Sequence, residues 1–309
     1  MPTDPGGPEV FSGLHPSSHE GQCPFRLLHL DGRFVYDSAF HQGVRMASSL
    51  PVYRFDSFIV RTPSSSVVNG LRADDRGNPT HAGVLAEHAA YIHAVSQAGV
   101  EVTVLPPLEA FPDSIFVEDP ALVFPEGAIL LRPGAATRAG ETAEIAPVLK
   151  RLFKTVLDLP RGFADGGDVL TTQKSVMIGL SARTNREGAE ALIECLAKLG
   201  RKGEIVETPK DVLHFKTDCS LLDEETVLTT ERLERSGVFK GFKTLLVPAG
   251  EEAAANALRV NDVVFVGSDY PRTAELLRTN GYTVVPLKTT EIGKIDAGLS
   301  CMSLRWRRG

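Results

Sequence analysis

The sequence predicts an α/β protein assembled from five strand–strand–helix–strand units, and three observations predict it. Short runs rich in Val, Leu, Ile and Thr, the composition of strands, recur along the chain. Stretches with helical spacing separate them, and the same order of elements repeats, a pattern to be sought before any other.

Three units show the plan directly. The first reads DVLTT, SVMIGL, a helical stretch from Asn185 to Leu199, and GEIVE. The second reads SLL, TVLTT, a helix in ERLERSGVFKG, and TLLVP; the third reads ANALRV, DVVFVG, a helix in YPRTAELLRTNG, and TVVPL. An earlier unit runs from a strand in SIFVED through GAILLRP, a helix near Thr142 to Phe153, and TVLDL. The fifth draws on both ends of the chain: a C-terminal strand in LSCMSLRW joins SFIVR, a helix from about His81 to Gln97, and EVTVLP. That helix carries Val84, His88, Tyr91, Ile92 and Val95 on one face. Ends that share a unit suggest a closed ring, which leaves fewer sheet edges to aggregate. An open α/β sheet would show the same local elements, and the pattern alone leaves both standing.

Residues 1–52 differ from the rest. Gly, Pro, Ser and His are frequent, no periodicity lasts, and we read a weakly ordered extension ahead of a single domain over 53–309. Met46, just before the first convincing strand, reads as a candidate alternative start. The opening MPTDPGGPEVF carries Asp4 and Glu9 and lacks the basic-then-apolar order of a signal peptide. No apolar run approaches membrane-spanning length, so no membrane association is expected. The four cysteines, Cys23, Cys195, Cys219 and Cys301, include no C-x-x-C pair, so they read as reduced thiols of a cytoplasmic protein, with no structural metal. A net charge of -6 without a long basic run makes nucleic acid a poor partner and suits a small cationic molecule better. A homodimer is compatible with all of this.

Four polar clusters fall where loops of such a ring would converge. They are Asp113, Glu118 and Asp119 in FPDSIFVEDP, Asp165 to Asp168 in ADGGD, His214 in LHFKTD, and Cys301 in GLSCMS. Singly, each has a bland reading. A lone cysteine is usually a small buried hydrophobe, a lone histidine usually packing or surface, and D-G-G-D usually a turn. Ile115, Phe116 and Val117 argue against a simple solvated edge, and carboxylates amid apolar residues must be paired or await a cation. Together, a thiol, an imidazole and an orienting carboxylate are the parts of a cysteine hydrolase. Further carboxylates would match the planar five-donor fork of a guanidinium.

At these residues the chain resembles a known family. FPDSIFVEDPALVF, RPGAATRAGET, ADGGDVL, GLSARTNREGAEAL, VLHFKTD, AANALRVN, YPRTAELLRTNGY and KIDAGLSCMSLRW are similar to segments of the dimethylarginine dimethylaminohydrolases, in the same order, from about Ser57 to Trp306. The resemblance implies the five-bladed α/β propeller of the pentein, or guanidino-modifying, superfamily. It also implies hydrolysis of asymmetric dimethylarginine or monomethylarginine to citrulline and an alkylamine. Cys301 would be the nucleophile, His214 general acid then base, and Asp165 the carboxylate that orients the histidine. Glu118 and Asp119 would lie at the substrate guanidinium. Asp113 and the carbonyl of Leu71, on a flexible lid with Gly70, would take the α-amino group; Arg138 and Arg183 the α-carboxylate; and Ile295 a backbone contact beside the nucleophile. No cofactor is implied, although a Cys–His pair could bind zinc adventitiously and mask the thiol. The chain departs from the family at Ala297, where a second glycine is common, and at Ala139, where a second arginine often follows Arg138. The rival readings are an arginine deiminase-type guanidino hydrolase and a non-catalytic arginine-binding protein on the same fold.

Overall fold

The computed structural model describes residues 50–309 apart from positions 74, 211 and 309, together with a short hairpin in which Leu28–Leu30 runs antiparallel to Arg33–Val35. The remainder of the stretch expected to be weakly ordered, Met46 included, lies outside the described residues.

From Ser57 onward, five three-stranded sheets repeat one plan: an antiparallel pair, then a helical crossover to a parallel third strand. Ala121–Phe124, Gly127–Leu130 and Val156–Asp158 form one sheet, with helix Glu141–Leu152 in the crossover. Val169–Thr171, Val176–Leu180 and Gly203–Glu207 form the next, around helix Arg186–Lys198. Cys219–Leu221, Thr226–Thr229 and Lys243–Leu246 follow, then Leu258–Val260, Val263–Gly267 and Thr283–Leu287 around helix Pro271–Thr279. The fifth sheet closes the ring. Leu304–Trp306 pairs antiparallel with Ser57–Arg61, Leu304 opposite Ile59, and Ser57–Arg61 pairs parallel with Glu101–Leu105 after helix His81–Gln97. The shared sheet decides for the five-bladed α/β propeller and against an open sheet.

Alternation along each strand explains why so many of these runs are apolar throughout. Successive side chains point to opposite faces, and in this ring both faces of an inner or middle strand meet a neighbouring blade. Phe58 and Val60 enter one apolar cluster with Phe265 and Met302, while Ile59 enters another with Val117 and Val123. Leu228 likewise packs with Val264 and Val266, while Val227 packs with Met177 and Phe215. Each cluster fills a seam between two adjacent blades, so every blade depends on its neighbours for burial. The ends of the helices are set locally: Thr80 Oγ1 accepts from the Gly83 amide at 3.1 Å and Asn185 Oδ1 from the Gly188 amide at 2.8 Å.

Three expected elements differ. SIFVED is not a strand; turn bonds from Phe116 N to Asp113 O and from Asp119 N to Phe116 O wind the segment, and residues 113–120 are all buried. In LSCMSLRW only Leu304–Trp306 is strand, and Cys301 lies in the turn before it. The helix expected in ERLERSGVFKG is one turn, Glu231–Glu234, followed by Gly237 at φ 74° and Gly241 at φ 94°, values a helix does not contain.

Candidate active site

The loops that lead into the inner strands converge, and the four polar clusters meet there. Asp165 comes first because it anchors the rest. The Ala164 amide donates to the Arg132 carbonyl and the Asp165 amide to Thr184 Oγ1, which fixes the backbone just ahead of strand Val169–Thr171. The fully buried Asp165 carboxylate then accepts from the Gly134 amide at 2.8 Å through Oδ1 and faces His214 Nε2 at 3.1 Å through Oδ2. His214 is held from its other side as well. Asp168 accepts from the Phe215 amide at 2.8 Å and from Ser181 and Thr184 hydroxyls at 2.7 Å each, pinning the loop that carries the imidazole.

The two glycines between these aspartates are demanded by close approach, beyond any turn preference. A Cβ at position 166 would lie 2.0 Å from the Glu118 carbonyl oxygen, and one at 167 would lie 2.9 Å from both Asp119 Oδ1 and the His214 ring. The bland reading of D-G-G-D as a turn is therefore half the account: the turn exists, as a 3-10 turn over Gly166–Asp168, and it brings two acidic segments and the histidine together.

Cys301 is partly buried. Its carbonyl accepts from the Glu118 amide at 3.3 Å, which ties the thiol's turn to the acidic segment, and Asn256 Nδ2 lies 3.7 Å from Sγ. Glu118 is buried and paired: Lys216 Nζ lies 2.6 Å from Oε1, Arg305 also binds Oε1, and Ser300 Oγ donates to Oε2 at 3.1 Å. Asp119 accepts from the Gly167 amide at 2.9 Å and pairs with Arg138. Burial and embedding are thus satisfied by cations, as the sequence pattern required.

The electrostatics divide the groups. Burial, followed by the Glu118 and Asp119 carboxylates, pushes the Cys301 thiol up to about 11, against an opposing pull from the Gly298 amide and Lys216. Burial works to lower the His214 pKa, but the carboxylates of Asp168, Asp119 and Asp165 outweigh it and raise the imidazole to about 9. Burial also raises Asp113 and Asp168. For Asp119 burial acts the same way, yet Arg138 and His214 prevail and hold its carboxyl below the usual range.

The other expected residues fall as follows. Asp113 Oδ1 accepts from the Leu71 amide at 2.9 Å, so these two are brought together, with Leu71 exposed at the mouth. Ile295 is buried at the end of the 3-10 turn Ile292–Ile295. The next residue, Asp296, takes the left-handed conformation at φ 54°, whereas Ala297 does not, so the alanine standing where a glycine is common carries no backbone strain. Arg183 is partly exposed, with Nη1 4.0 Å from Asp165 Oδ2. Arg138 is placed differently from its expected partner. It is buried, and its guanidinium donates to Glu141 at 2.9 and 2.7 Å, to the Phe116 and Asp113 carbonyls, and to Asp119. Sequence reasoning missed Asn256, Lys216, Arg305 and Glu141. Lys216 stood two positions from His214, and Asn256 stood inside the quoted AANALRVN, yet nothing local marked either.

Asp119, Asp165 and His214 each place one candidate ligand atom within 4.8 Å of the others. All three are already engaged by Arg138, by the Gly134 amide or by one another, and we assign no ion there.

Comparison with known proteins agrees with this geometry. A sequence model described as Arginine deiminase matches residues 87–245. An N(G),N(G)-dimethylarginine dimethylaminohydrolase of Pseudomonas aeruginosa is 41% identical over 254 residues, which is 82% of this chain and 100% of that protein. One from Streptomyces coelicolor is 32% identical over 253 residues, 81% of this chain and 96% of that protein. The structure of the Pseudomonas aeruginosa enzyme, as a cysteine-to-serine mutant with citrulline, superposes with a TM-score of 0.79 at 40% identity, covering 82% of this chain and 100% of that one. The N-terminal domain of an arginine dihydrolase from cyanobacteria, 18% identical, shares the fold at a TM-score of 0.72. With propeller, thiol, imidazole and buried carboxylates on one ring, and identity of this extent over the whole length of a relative, the chain belongs to the dimethylarginine dimethylaminohydrolase family.

Proposed function

We propose that the chain hydrolyses asymmetric dimethylarginine and monomethylarginine to citrulline and dimethylamine or methylamine, with Cys301 as nucleophile. The observation that carries the reading is the backbone bond from Glu118 to Cys301, which sets the thiol beside the Glu118–Asp119 pair where a guanidinium would seat. A thiol held near 11 is almost wholly protonated at neutral pH. The cation of the bound substrate supplies the charge that lowers it, so ionisation and substrate binding go together. The thiolate adds to the guanidinium carbon. His214, protonated at neutral pH, gives its proton to the departing amine as the C–N bond breaks, leaving an S-alkylthiouronium on Cys301. The imidazole, now neutral, takes a proton from water as the oxygen adds to the same carbon; collapse breaks the C–S bond, forms citrulline and returns the thiolate, while the hydroxyl proton passes through solvent to the released amine. Asp165 keeps the imidazole oriented, and Asp168 holds its loop as a positioning residue. Arg183, at the partly exposed edge of the site, is the side chain we assign to the substrate carboxylate, with Asp113 and Leu71 at the α-amino group.

The reading needs no cofactor and no second chain, because every residue it uses lies within 53–309, the stretch to which we assign the catalysis. A reduced, cytosolic setting keeps Cys301 a thiol. The test is product analysis with dimethylarginine and arginine side by side. The reading predicts citrulline and dimethylamine from the first; citrulline and ammonia from arginine alone would favour the deiminase named by the matching sequence model. Cys301→Ser should bind dimethylarginine without turnover.

A further inference from the structure

Asn256 lies between the 3-10 turn Glu252–Ala255 and the strand Leu258–Val260, on a different blade from Cys301 and 45 residues away in sequence. Two of its atoms touch the nucleophile's turn. The Ser300 amide donates to Oδ1 at 3.0 Å, and Nδ2 faces Cys301 Sγ at 3.7 Å. The orientation of the amide follows from chemistry alone. A backbone N–H can only donate, so the atom facing Ser300 must be the oxygen, and the NH2 group is left to face sulfur. Position 298 is fitted to this contact as well: a Cβ there would lie 2.3 Å from Asn256 Cγ, so only glycine lets the amide dock.

An NH2 group is a pure donor. It offers nothing to the proton of a thiol and interacts more strongly with sulfur once that proton has gone, since hydrogen bonds to an ionised partner are the stronger kind. We propose that Asn256 is a positioning residue for the nucleophile, clamping the turn Gly298–Cys301 and donating a hydrogen bond that favours the Cys301 thiolate. This deepens the hydrolase reading and rests on its choice of nucleophile.

The need for such a donor is visible in the surroundings of the sulfur. Glu118 and Asp119 face it from the acidic segment and oppose its ionisation, while Lys216 from the histidine loop favours it. Arg305 on the following strand and Tyr91 on helix His81–Gln97 are also within electrostatic reach. Lys216 and Arg305 are both committed to Glu118, whereas among the described residues the Gly298 amide and Asn256 Nδ2 are donors aimed at the sulfur itself.

The test uses the full chain without substrate, so its outcome does not depend on whether methylated arginine is turned over. Cys301 is alkylated with iodoacetamide, a neutral reagent, and the rate is followed over roughly pH 7 to 10, where it reports the thiolate fraction. Cys301→Ser supplies the background from the other thiols. Asn256→Asp keeps the acceptor for Ser300 and loses the donor; Asn256→Leu loses both without adding charge. Alkylation of the Leu variant should be about tenfold slower at each pH, equivalent to a thiol about one unit weaker as an acid, and that of the Asp variant slower still. The proposal is overturned if the folded Leu variant follows the wild-type profile, whatever the Asp variant does, because a shift confined to Asp would report its charge alone.

Discussion

Nε2 of His214 lies 3.1 Å from Oδ2 of Asp165, while the other oxygen of that carboxylate is occupied by the Gly134 amide. A carboxylate only accepts, so Nε2 carries a proton. The carboxylates around the ring raise its pKa to about 9, above the 6.5 it would have when unfolded. The sign of the linkage follows. This charge stabilises the fold fully below pH 6.5, and the contribution is lost as pH rises through about 9. The same protonated form is the acid that catalysis needs for amine departure.

Asp165→Asn therefore has two expected effects. The His214 titration should move down from about 9, part of the way only, since Asp168 and Asp119 remain. Turnover should fall by about 10²–10⁴-fold, the range for losing a properly held acid–base group. Nuclear magnetic resonance of the ring protons against pH checks the first effect and steady-state kinetics the second. An unmoved His214 midpoint would remove Asp165 from the orienting role.

Much of this arrangement was legible in the sequence, and the parts that were not share a cause. Strands such as Ser57–Arg61 announced themselves because both of their faces are buried, which turns alternation into an unbroken apolar run. Cys301, His214, Asp165 and the Glu118–Asp119 pair emerged because each sits in a motif whose residue types make sense only together. Asn256 and Arg305 did not, because their partners Cys301 and Glu118 lie 45 and 187 residues away and no local pattern records a contact across blades. The strand expected in SIFVED failed for a related reason. Its apolar centre resembles a strand locally, yet the backbone winds to present Phe116 and Asp113 carbonyls to the buried Arg138.

His88 offers a test of stability away from the site. It is buried on helix His81–Gln97, its Nε2 has no hydrogen-bond partner among the described residues, and burial lowers its pKa to about 4. Below pH 6.5 the unfolded chain takes up a proton that the folded chain refuses, so stability falls as pH drops from 6.5 towards 4. The loss from this residue should be about 2 kcal/mol at pH 5. Urea unfolding at pH 7 and pH 5 should show that His88→Leu narrows the gap between the two conditions. An equally wide gap in the variant would mean that His88 is not a source of the acid sensitivity.

Arg183→Ala should raise KM for dimethylarginine much more than it lowers kcat. The guanidinium is partly exposed and ends 4.0 Å from Asp165, too far to be consumed by that carboxylate. A grip on the substrate carboxylate is remote from the reacting carbon and binds ground state and transition state about equally. Losing a charged hydrogen bond of ~1.5–3 kcal/mol should cost one to two orders of magnitude in kcat/KM. A decarboxylated analogue should hardly distinguish variant from wild type. Equal impairment on both compounds would assign Arg183 to the support of Asp165 instead.

Arg138, expected alongside Arg183 as a carboxylate ligand, should behave in the opposite way. Its guanidinium is buried, and its nitrogens are spent on Asp119, Glu141 and two backbone carbonyls. Arg138→Ala would leave the Asp119 and Glu141 carboxylates buried without their cation, and removing one partner of a buried pair costs about 3–5 kcal/mol. For a domain of this size that lowers Tm by roughly 10 °C. Arg138→Lys should recover only part of the loss, because an ammonium cannot reproduce the two-pronged contact with Glu141. Arg183→Ala, by contrast, should leave Tm nearly unchanged. Thermal unfolding of the three variants, followed by KM measurements on those that stay folded, separates the roles. If Arg138→Ala melted with the wild type and raised KM as Arg183→Ala does, Arg138 would have to turn out of its buried network to reach the substrate, and the assignment of the carboxylate to Arg183 alone would be wrong.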